Sequence, residues 1–200
     1  MTYSLANILT LSRIAAIPAV SVLLYVQGPV GAWSAWAVYA IACATDWLDG
    51  YVARNWGQDS EFGKFLDPIA DKLLVAAVLL LLVAQNRIDG WAVISALVIL
   101  CREIMVSGLR EFLAKTAISV PVSRLAKWKT GIQMVALGVC IVGPFGPWGM
   151  PWVLIGEIGL GIAALLTLVT GWDYLRSGLK HMTREEAAAP TPSKPVGSVG

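Results

Sequence analysis

Long apolar runs, broken by short polar segments, dominate this chain of 200 residues. A helix needs about 20 apolar residues to cross a bilayer. That length and the spacing of the polar breaks predict an all-α, polytopic membrane bundle of six transmembrane helices. The predicted spans are roughly residues 8–27, 33–54, 64–84, 91–112, 130–147 and 152–175. The second, third and fourth contain charged residues, so hydropathy alone supports them less strongly than the sixth.

The two ends of the chain differ from the apolar middle. No basic segment precedes the first span and no small-residue cleavage site follows Gln27, so we expect this span to be retained in the mature protein. From Thr183 onward the chain is rich in Pro, Ala and Ser, a composition typical of disorder. We therefore predict a transmembrane domain over residues 1–182 and a disordered cytoplasmic tail over residues 183–200.

Composition and charge agree with a membrane protein and set its orientation. The chain is 57% hydrophobic and 14% charged, with a mean hydropathy of +0.69. The segments 28–32, 85–90 and 143–151 contain one basic residue, Arg87, whereas the opposite flanks contain twelve. Those twelve are Arg13, Arg54, Lys64, Arg110, Lys115, Arg124, Lys127, Lys129, Arg176, Lys180, Arg184 and Lys194. Because basic loops stay in the cytoplasm, both termini are predicted to be cytoplasmic. The net charge of +2 is explained by this topology, and no nucleic-acid partner is predicted.

Four aspartates interrupt the second and third spans. Asp46 and Asp49 are three residues apart and Asp67 and Asp71 are four apart, so each pair lies on one helix face. The polar segment between the pairs, NWGQDSEFG, can reverse the chain at the membrane surface. The resulting hairpin would bring the two pairs face to face.

A group of ionised carboxylates in a low-dielectric setting requires compensation. Carboxylate oxygens are hard ligands that suit Mg²⁺ or Mn²⁺, and two such ions about 4 Å apart bridge the oxygens of a reacting phosphoryl group. Arg54, one turn beyond Gly50, could form a forked contact with a phosphate. The pattern thus predicts a site with two ions and phosphoryl-transfer chemistry.

Other interpretations of the aspartates remain open. A carboxylate inside a span often pairs with a basic residue, and Lys72 or Arg102 could serve here. Transporters also place carboxylates in their spans, so a cation transporter is a competing class. A transporter would not obviously require Arg54 or the basic clusters that follow.

The stretch from Asp46 to Asp71 reads D-x2-D-G-x2-A-R-x8-G-x3-D-x3-D. It resembles the signature of the CDP-alcohol phosphatidyltransferase family, with every fixed position present. The layout of six spans extends the resemblance over about residues 4–180. The resemblance implies an enzyme of phospholipid biosynthesis that is an integral protein of a bacterial-type inner membrane, with its active site facing the cytoplasm. It also implies a homodimer.

The resemblance assigns roles by position. Two Mg²⁺ or Mn²⁺ ions would be bound by the four aspartates Asp46, Asp49, Asp67 and Asp71. Asp71 would also be the base that deprotonates the acceptor alcohol. CDP-diacylglycerol would contact the remaining motif residues and a second element in the first span, N-x-x-T, where the family commonly has a preceding proline and this chain has Ala6. These donor-binding candidates are Asn7, Thr10, Gly50, Ala53, Arg54 and Ser60.

Basic residues further along the chain bear on the acceptor. Arg102 and Arg110 are eight residues apart, on nearly the same helix face, and Lys127 and Lys129 precede the fifth span. A pocket of these four suits an anionic acceptor, since guanidinium groups bind phosphate through two hydrogen bonds. The alternative is that they only follow the positive-inside rule and attract anionic lipids.

The segment RExxxSGLRE, followed by K-x-K-T, resembles the phosphatidylglycerophosphate synthase branch of the family. This resemblance implies transfer of a phosphatidyl group from CDP-diacylglycerol to sn-glycerol 3-phosphate, with release of CMP. Inositol phosphate, phosphatidylglycerol and serine remain alternative acceptors.

Overall fold

The computed structural model describes residues 5–56, 61–115 and 124–188. Within these ranges the protein is all-helical and contains no strand. The six α-helices are α1 (Leu5–Tyr25), α2 (Pro29–Trp56), α3 (Glu61–Ala84), α4 (Gly90–Lys115), α5 (Arg124–Val142) and α6 (Trp152–Ala188). Each predicted span therefore coincides with a helix. Because α6 continues to Ala188, it passes the predicted boundary at residue 183, and the division into domain and tail stays a prediction.

Three helical segments are long and apolar enough to cross a membrane among the residues described: Gly90–Leu113, Leu125–Phe145 and Trp152–Arg176. A shorter apolar segment, Leu9–Tyr25, lies in α1. The aspartates and neighbouring cations lie in the second and third helices. The fourth span, which its charges also made a weaker candidate in the sequence, is among the three segments that are apolar enough to cross a membrane.

The fifth helix is shorter at its C-terminal end than predicted. It ends at Val142 rather than near residue 147, and two short 3₁₀ turns, Gly143–Phe145 and Pro147–Gly149, follow. Gly143 has a φ of 53°, which favours glycine, and the prolines at 144 and 147 lack the N–H that a helix would need.

Each helix packs against particular neighbours. α1 contacts α2 and α3, α5 contacts α2 and α6, and α4 contacts α3 and α6. A single apolar core joins them, with Val20, Val78, Ile99, Leu137 and Leu160 among its buried members. This packing turns the charged faces of α1 to α5 toward one another, and those faces form the candidate site.

Candidate active site

Asp46, on α2, is paired with a cation from the first helix. Its Oδ1 accepts a hydrogen bond of 2.6 Å from Nη1 of Arg13. The Arg13 side chain is 1% exposed and that of Asp46 is 34% exposed. Arg13 was counted above with the cytoplasmic flanks, and the structure buries it within α1 against α2. An isolated arginine in a predicted span was the available signal.

Asp71, on α3, is paired with its chain neighbour. Its Oδ2 accepts a hydrogen bond of 2.7 Å from Nζ of Lys72. The same Nζ lies 3.0 Å from Oε2 of Glu103, on α4. The alternative interpretation named Lys72 as a possible partner for an aspartate, and this ion pair is present. Lys72 therefore links the proposed base to a second carboxylate.

The carboxylates of Asp46 and Asp71 approach the same part of the bundle. Cys43, on α2, lies within electrostatic range of both carboxylates, and Tyr39, one turn earlier, within range of Asp71. The packing of α1 against both α2 and α3 produces this approach. Asp49 and Asp67 lie in α2 and α3, but their side chains are outside the described part of the structure. The convergence of all four aspartates stays a prediction.

Glu103 is the centre of a buried ion cluster that the sequence analysis missed. Its side chain is 9% exposed, and its Oε1 accepts a hydrogen bond from Nζ of Lys129, on α5, and one of 3.3 Å from Nη1 of Arg102. The only signal in the sequence was a glutamate beside an arginine in an apolar span. Its partners Lys72 and Lys129 could not be read from spacing, because they come from two other helices.

Arg102 extends this cluster to the sixth helix. Its Nη2 donates a hydrogen bond of 3.2 Å to Oγ1 of Thr170. Gly171 leaves space for the guanidinium stem, since a Cβ there would lie 3.1 Å from Cγ of Arg102. Among the described residues, the buried Nε of Arg102 has no hydrogen-bond partner. A Cβ on Gly171 would lie 3.3 Å from this Nε, so the Nε faces α6.

The four candidates for the acceptor phosphate do not lie in one group. Arg102 and Lys129 share the Glu103 cluster, and Lys129, predicted to flank its span, is 4% exposed there. Arg110 is exposed, with its Cζ 5.7 Å from the ring centre of Tyr174. Lys127 is exposed as well. The structure therefore favours Lys129 over Lys127 as a pocket residue.

The donor-binding candidates fall mostly where side chains are not described. Thr10 is buried in α1 and has an interaction partner. The other helical candidates lie in α1 or α2 with side chains outside the described part: Asn7, Gly50, Ala53 and Arg54. Ser60 lies outside the described residues altogether.

The residues present suit a divalent metal in their chemistry. Asp46 and Asp71 offer carboxylate oxygens from two helices, and oxygen is the ligand that Mg²⁺ and Mn²⁺ prefer. A carboxylate has two oxygens and about four lone-pair sites, so an ion pair with one cation does not prevent metal coordination. Among the described side chains, which do not include those of Asp49 and Asp67, no three His, Cys, Asp or Glu are placed to hold a metal ion together.

Comparison with known proteins gives the family of this chain. The model of the CDP-alcohol phosphatidyltransferase family matches residues 3–169. The chain belongs to this family. The match contains both aspartate pairs, Glu103 with its charged partners and about the first half of α6, whereas Thr170 and Gly171 lie just beyond its end.

Relatives of known name agree along nearly their whole length. A CDP-diacylglycerol–glycerol-3-phosphate 3-phosphatidyltransferase of Rickettsia bellii is 46% identical over 178 residues, covering 89% of this chain and 97% of the relative. The enzyme of the same name from Escherichia coli K12 is 38% identical, and the match covers 88% of this chain and 94% of the relative. The enzyme of this name from Cereibacter sphaeroides is also 38% identical, and the match covers 93% of this chain and 100% of the relative.

Solved structures agree in fold. A phosphatidylinositol phosphate synthase of Mycobacterium tuberculosis, in complex with manganese and citrate, superposes with a TM-score of 0.59 at 21% identity, covering 86% of this chain and 82% of that one. The same enzyme with CDP-DAG bound gives a TM-score of 0.59 at 22% identity, with 85% of each chain covered. At this identity the likeness supports the helical fold alone.

Proposed function

We propose that this protein transfers the phosphatidyl group of CDP-diacylglycerol to sn-glycerol 3-phosphate, giving phosphatidylglycerophosphate and CMP. The observation that carries the proposal is the similarity, over nearly full length, to enzymes that bear this activity in their names. A second support is the buried cation pair Arg102 and Lys129, which reaches Asp71 through Glu103 and Lys72.

In this proposal the donor lipid keeps its acyl chains in the bilayer while its headgroup lies between the helices. The CDP portion binds to the residues that the family resemblance implies: Asn7, Thr10, Gly50, Ala53, Arg54 and Ser60. Asp46, Asp49, Asp67 and Asp71 would hold two Mg²⁺ or Mn²⁺ ions, which would neutralise charge on the pyrophosphate.

Asp71 takes the proton of the primary hydroxyl of glycerol 3-phosphate. That oxygen forms a bond to the lipid-bearing phosphorus, and the bond from this phosphorus to CMP breaks, so that CMP leaves with the electron pair. Arg102 and Lys129 hold the acceptor's phosphate and so orient its hydroxyl. Lys72 stays beside Asp71 and offsets its negative charge.

We further propose that all six helices cross the membrane, with both termini in the cytoplasm and the protein in the inner membrane. α1, α2 and α3 have 21, 28 and 24 residues, or about 32, 42 and 36 Å at 1.5 Å per residue. Each reaches the hydrocarbon thickness of about 30 Å. The family resemblance adds a homodimer to this proposal.

An acceptor screen tests the function. The purified protein receives CDP-diacylglycerol, Mg²⁺ and one acceptor at a time: glycerol 3-phosphate, inositol phosphate, phosphatidylglycerol or serine. We expect CMP release with glycerol 3-phosphate. Silence with this acceptor and release with another would move the protein to a different branch, and ion flux in liposomes without any CMP release would support the transporter instead.

A further inference from the structure

Glu103 lies where polar side chains of four helices meet. Its carboxylate contacts Lys72 from α3, Lys129 from α5 and its own neighbour Arg102 on α4. Arg102 continues to Thr170 on α6. The reaction proposed above gives Glu103 no role. Glu103 nevertheless contacts Lys72, which lies beside the proposed base, and also Arg102 and Lys129, which would hold the acceptor's phosphate.

The electrostatics of the cluster explain why a carboxylate is needed there. Three cations close together in a low-dielectric region repel one another, and each loses hydration. One buried carboxylate between them compensates both effects and fixes their directions. Without it, Lys129 and Arg102 would separate, and Lys72 would lose one of its two acidic partners.

We propose that Glu103 is a positioning residue for a phosphate-bearing acceptor. It holds Lys129 and Arg102 as the group that binds the acceptor's phosphate, and it holds Lys72 beside Asp71, so that the bound phosphate and the base keep a fixed relation. This inference rests on the proposed function, because it needs an acceptor whose hydroxyl reacts at Asp71.

The charge of the cluster suits a phosphate monoester. With Asp71 included, two carboxylates face three cations, so one net positive charge remains for an incoming anion. A phosphate monoester carries about −1.5 to −2 at pH 7 and presents three acceptor oxygens. A zwitterionic acceptor such as serine would have less use for this excess charge.

The test separates binding of the two substrates. Full-length wild type, Glu103→Gln and Glu103→Asp are assayed for CMP release in mixed micelles with Mg²⁺, varying glycerol 3-phosphate and CDP-diacylglycerol in turn. We expect Glu103→Gln to raise KM for glycerol 3-phosphate about tenfold or more, the order expected when charged hydrogen bonds are lost. KM for CDP-diacylglycerol should stay within about twofold, and Glu103→Asp should recover part of the loss.

A matched control removes another buried carboxylate. Glu157, also buried, lies on α6 thirteen residues before Thr170, about 20 Å along the helix. Glu157→Gln should leave both KM values unchanged. A second variant, Gly171→Ala, disturbs Arg102 without changing charge, since the added Cβ would lie 3.1 Å from its Cγ and 3.3 Å from its Nε. It should raise KM for glycerol 3-phosphate selectively, and it keeps the proposal testable if Glu103→Gln fails to fold.

The outcomes distinguish this inference from the proposed function. If wild type is active with glycerol 3-phosphate while Glu103→Gln and Gly171→Ala leave its KM unchanged, or shift both KM values equally, the positioning role is overturned. If wild type uses a different phosphorylated acceptor, the proposed function fails and the same KM comparison with that acceptor tests Glu103. If the acceptor carries no phosphate, both fail.

Discussion

Asp71 is the single residue on which the proposed proton transfer depends. Replacing it with asparagine keeps the size of the side chain and removes the base, so we expect kcat to fall by about 10²–10⁴, the usual contribution of a positioned general base. Binding of CDP-diacylglycerol should remain detectable, because the other donor-binding groups are intact. CMP release and binding of the labelled donor measure the two effects.

The matched control for this change is Asp173→Asn on α6, where the aspartate is exposed. It should retain wild-type turnover. Near-normal turnover in Asp71→Asn would show that another group takes the proton and that the assignment of the base is wrong.

Arg13 is the residue whose position most clearly differs from its expected place. Its replacement by leucine would leave the carboxylate of Asp46 without a cation 2.6 Å away. Loss of one partner from a buried pair costs several kcal/mol, but Asp46 is 34% exposed, so we expect the free energy of unfolding to fall by about 2 kcal/mol. Thermal unfolding in micelles, followed by tryptophan fluorescence, measures this loss.

Arg13→Lys should lose less stability than Arg13→Leu, because it keeps the charge although not the planar fork. The exposed Arg176 offers a matched control, and Arg176→Leu should unfold as wild type does. Equal stability of Arg13→Leu and wild type would mean that the ion pair is compensated by solvent.

Spacing in the sequence could place charged side chains on a common helix face, but it could not pair them across helices. Asp46 and Asp71 were found because helical periodicity places members of each pair on one face. Arg13 and Glu103 were missed because their partners come from other helices, and the packing of α1, α4 and α5 decides which cation meets which carboxylate. A sequence lists charges inside spans, but the pairing between them is a property of the packed bundle.

Helix α6 approaches α5 closely through glycines. A Cβ at Gly156 would lie 2.5 Å from Sγ of Cys140, and one at Gly159 would lie 2.9 Å from Cβ of Ala136. Small residues allow such approach between membrane helices, where dispersion contacts replace the hydrophobic effect as the main attraction. We expect Gly159→Leu to lower the free energy of unfolding by about 1–3 kcal/mol through overpacking.

Gly131, on α5, provides the matched control because a Cβ there would meet nothing within 4 Å. Gly131→Leu should leave stability close to that of wild type in the same thermal unfolding measurement. If both leucine variants behave alike, the approach of α5 to α6 does not depend on the glycine at 159.

The end of α5 shows what the sequence could not predict about an element. Hydropathy placed this end near residue 147, but the chain leaves the helix after Val142. Arg87, from the segment between α3 and α4, donates a hydrogen bond to the carbonyl oxygen of Ile141, and burial lowers the pKa of its guanidinium from the usual value. A cation at a helix C-terminus is favourable. This contact joins residues distant in sequence, so apolar periodicity does not contain it.

For the whole molecule, length and periodicity predicted six helices in the right places. The three segments of the described chain that satisfy length and composition lie in α4, α5 and α6, whereas α2 and α3 carry the aspartates. Helix α4 also carries charged residues of the site, Arg102 and Glu103, and is still apolar enough to cross a membrane, so hydropathy does not identify the helices that carry the site. The membrane topology therefore has to be tested by accessibility rather than by hydropathy.

Accessibility of introduced cysteines tests the topology directly. The native Cys43, Cys101 and Cys140 are first replaced by alanine, and Asp89→Cys or Ser193→Cys is then added singly. Twelve basic residues on one side against one on the other predict that position 89 faces outward and position 193 faces the cytoplasm. A membrane-impermeant maleimide should label Asp89→Cys in intact spheroplasts and Ser193→Cys only after lysis. Labelling of Ser193→Cys before lysis would place the C-terminus outside and exclude a cytoplasmic position for both ends. If neither position is labelled before lysis, the segment between α3 and α4 does not reach the outer surface.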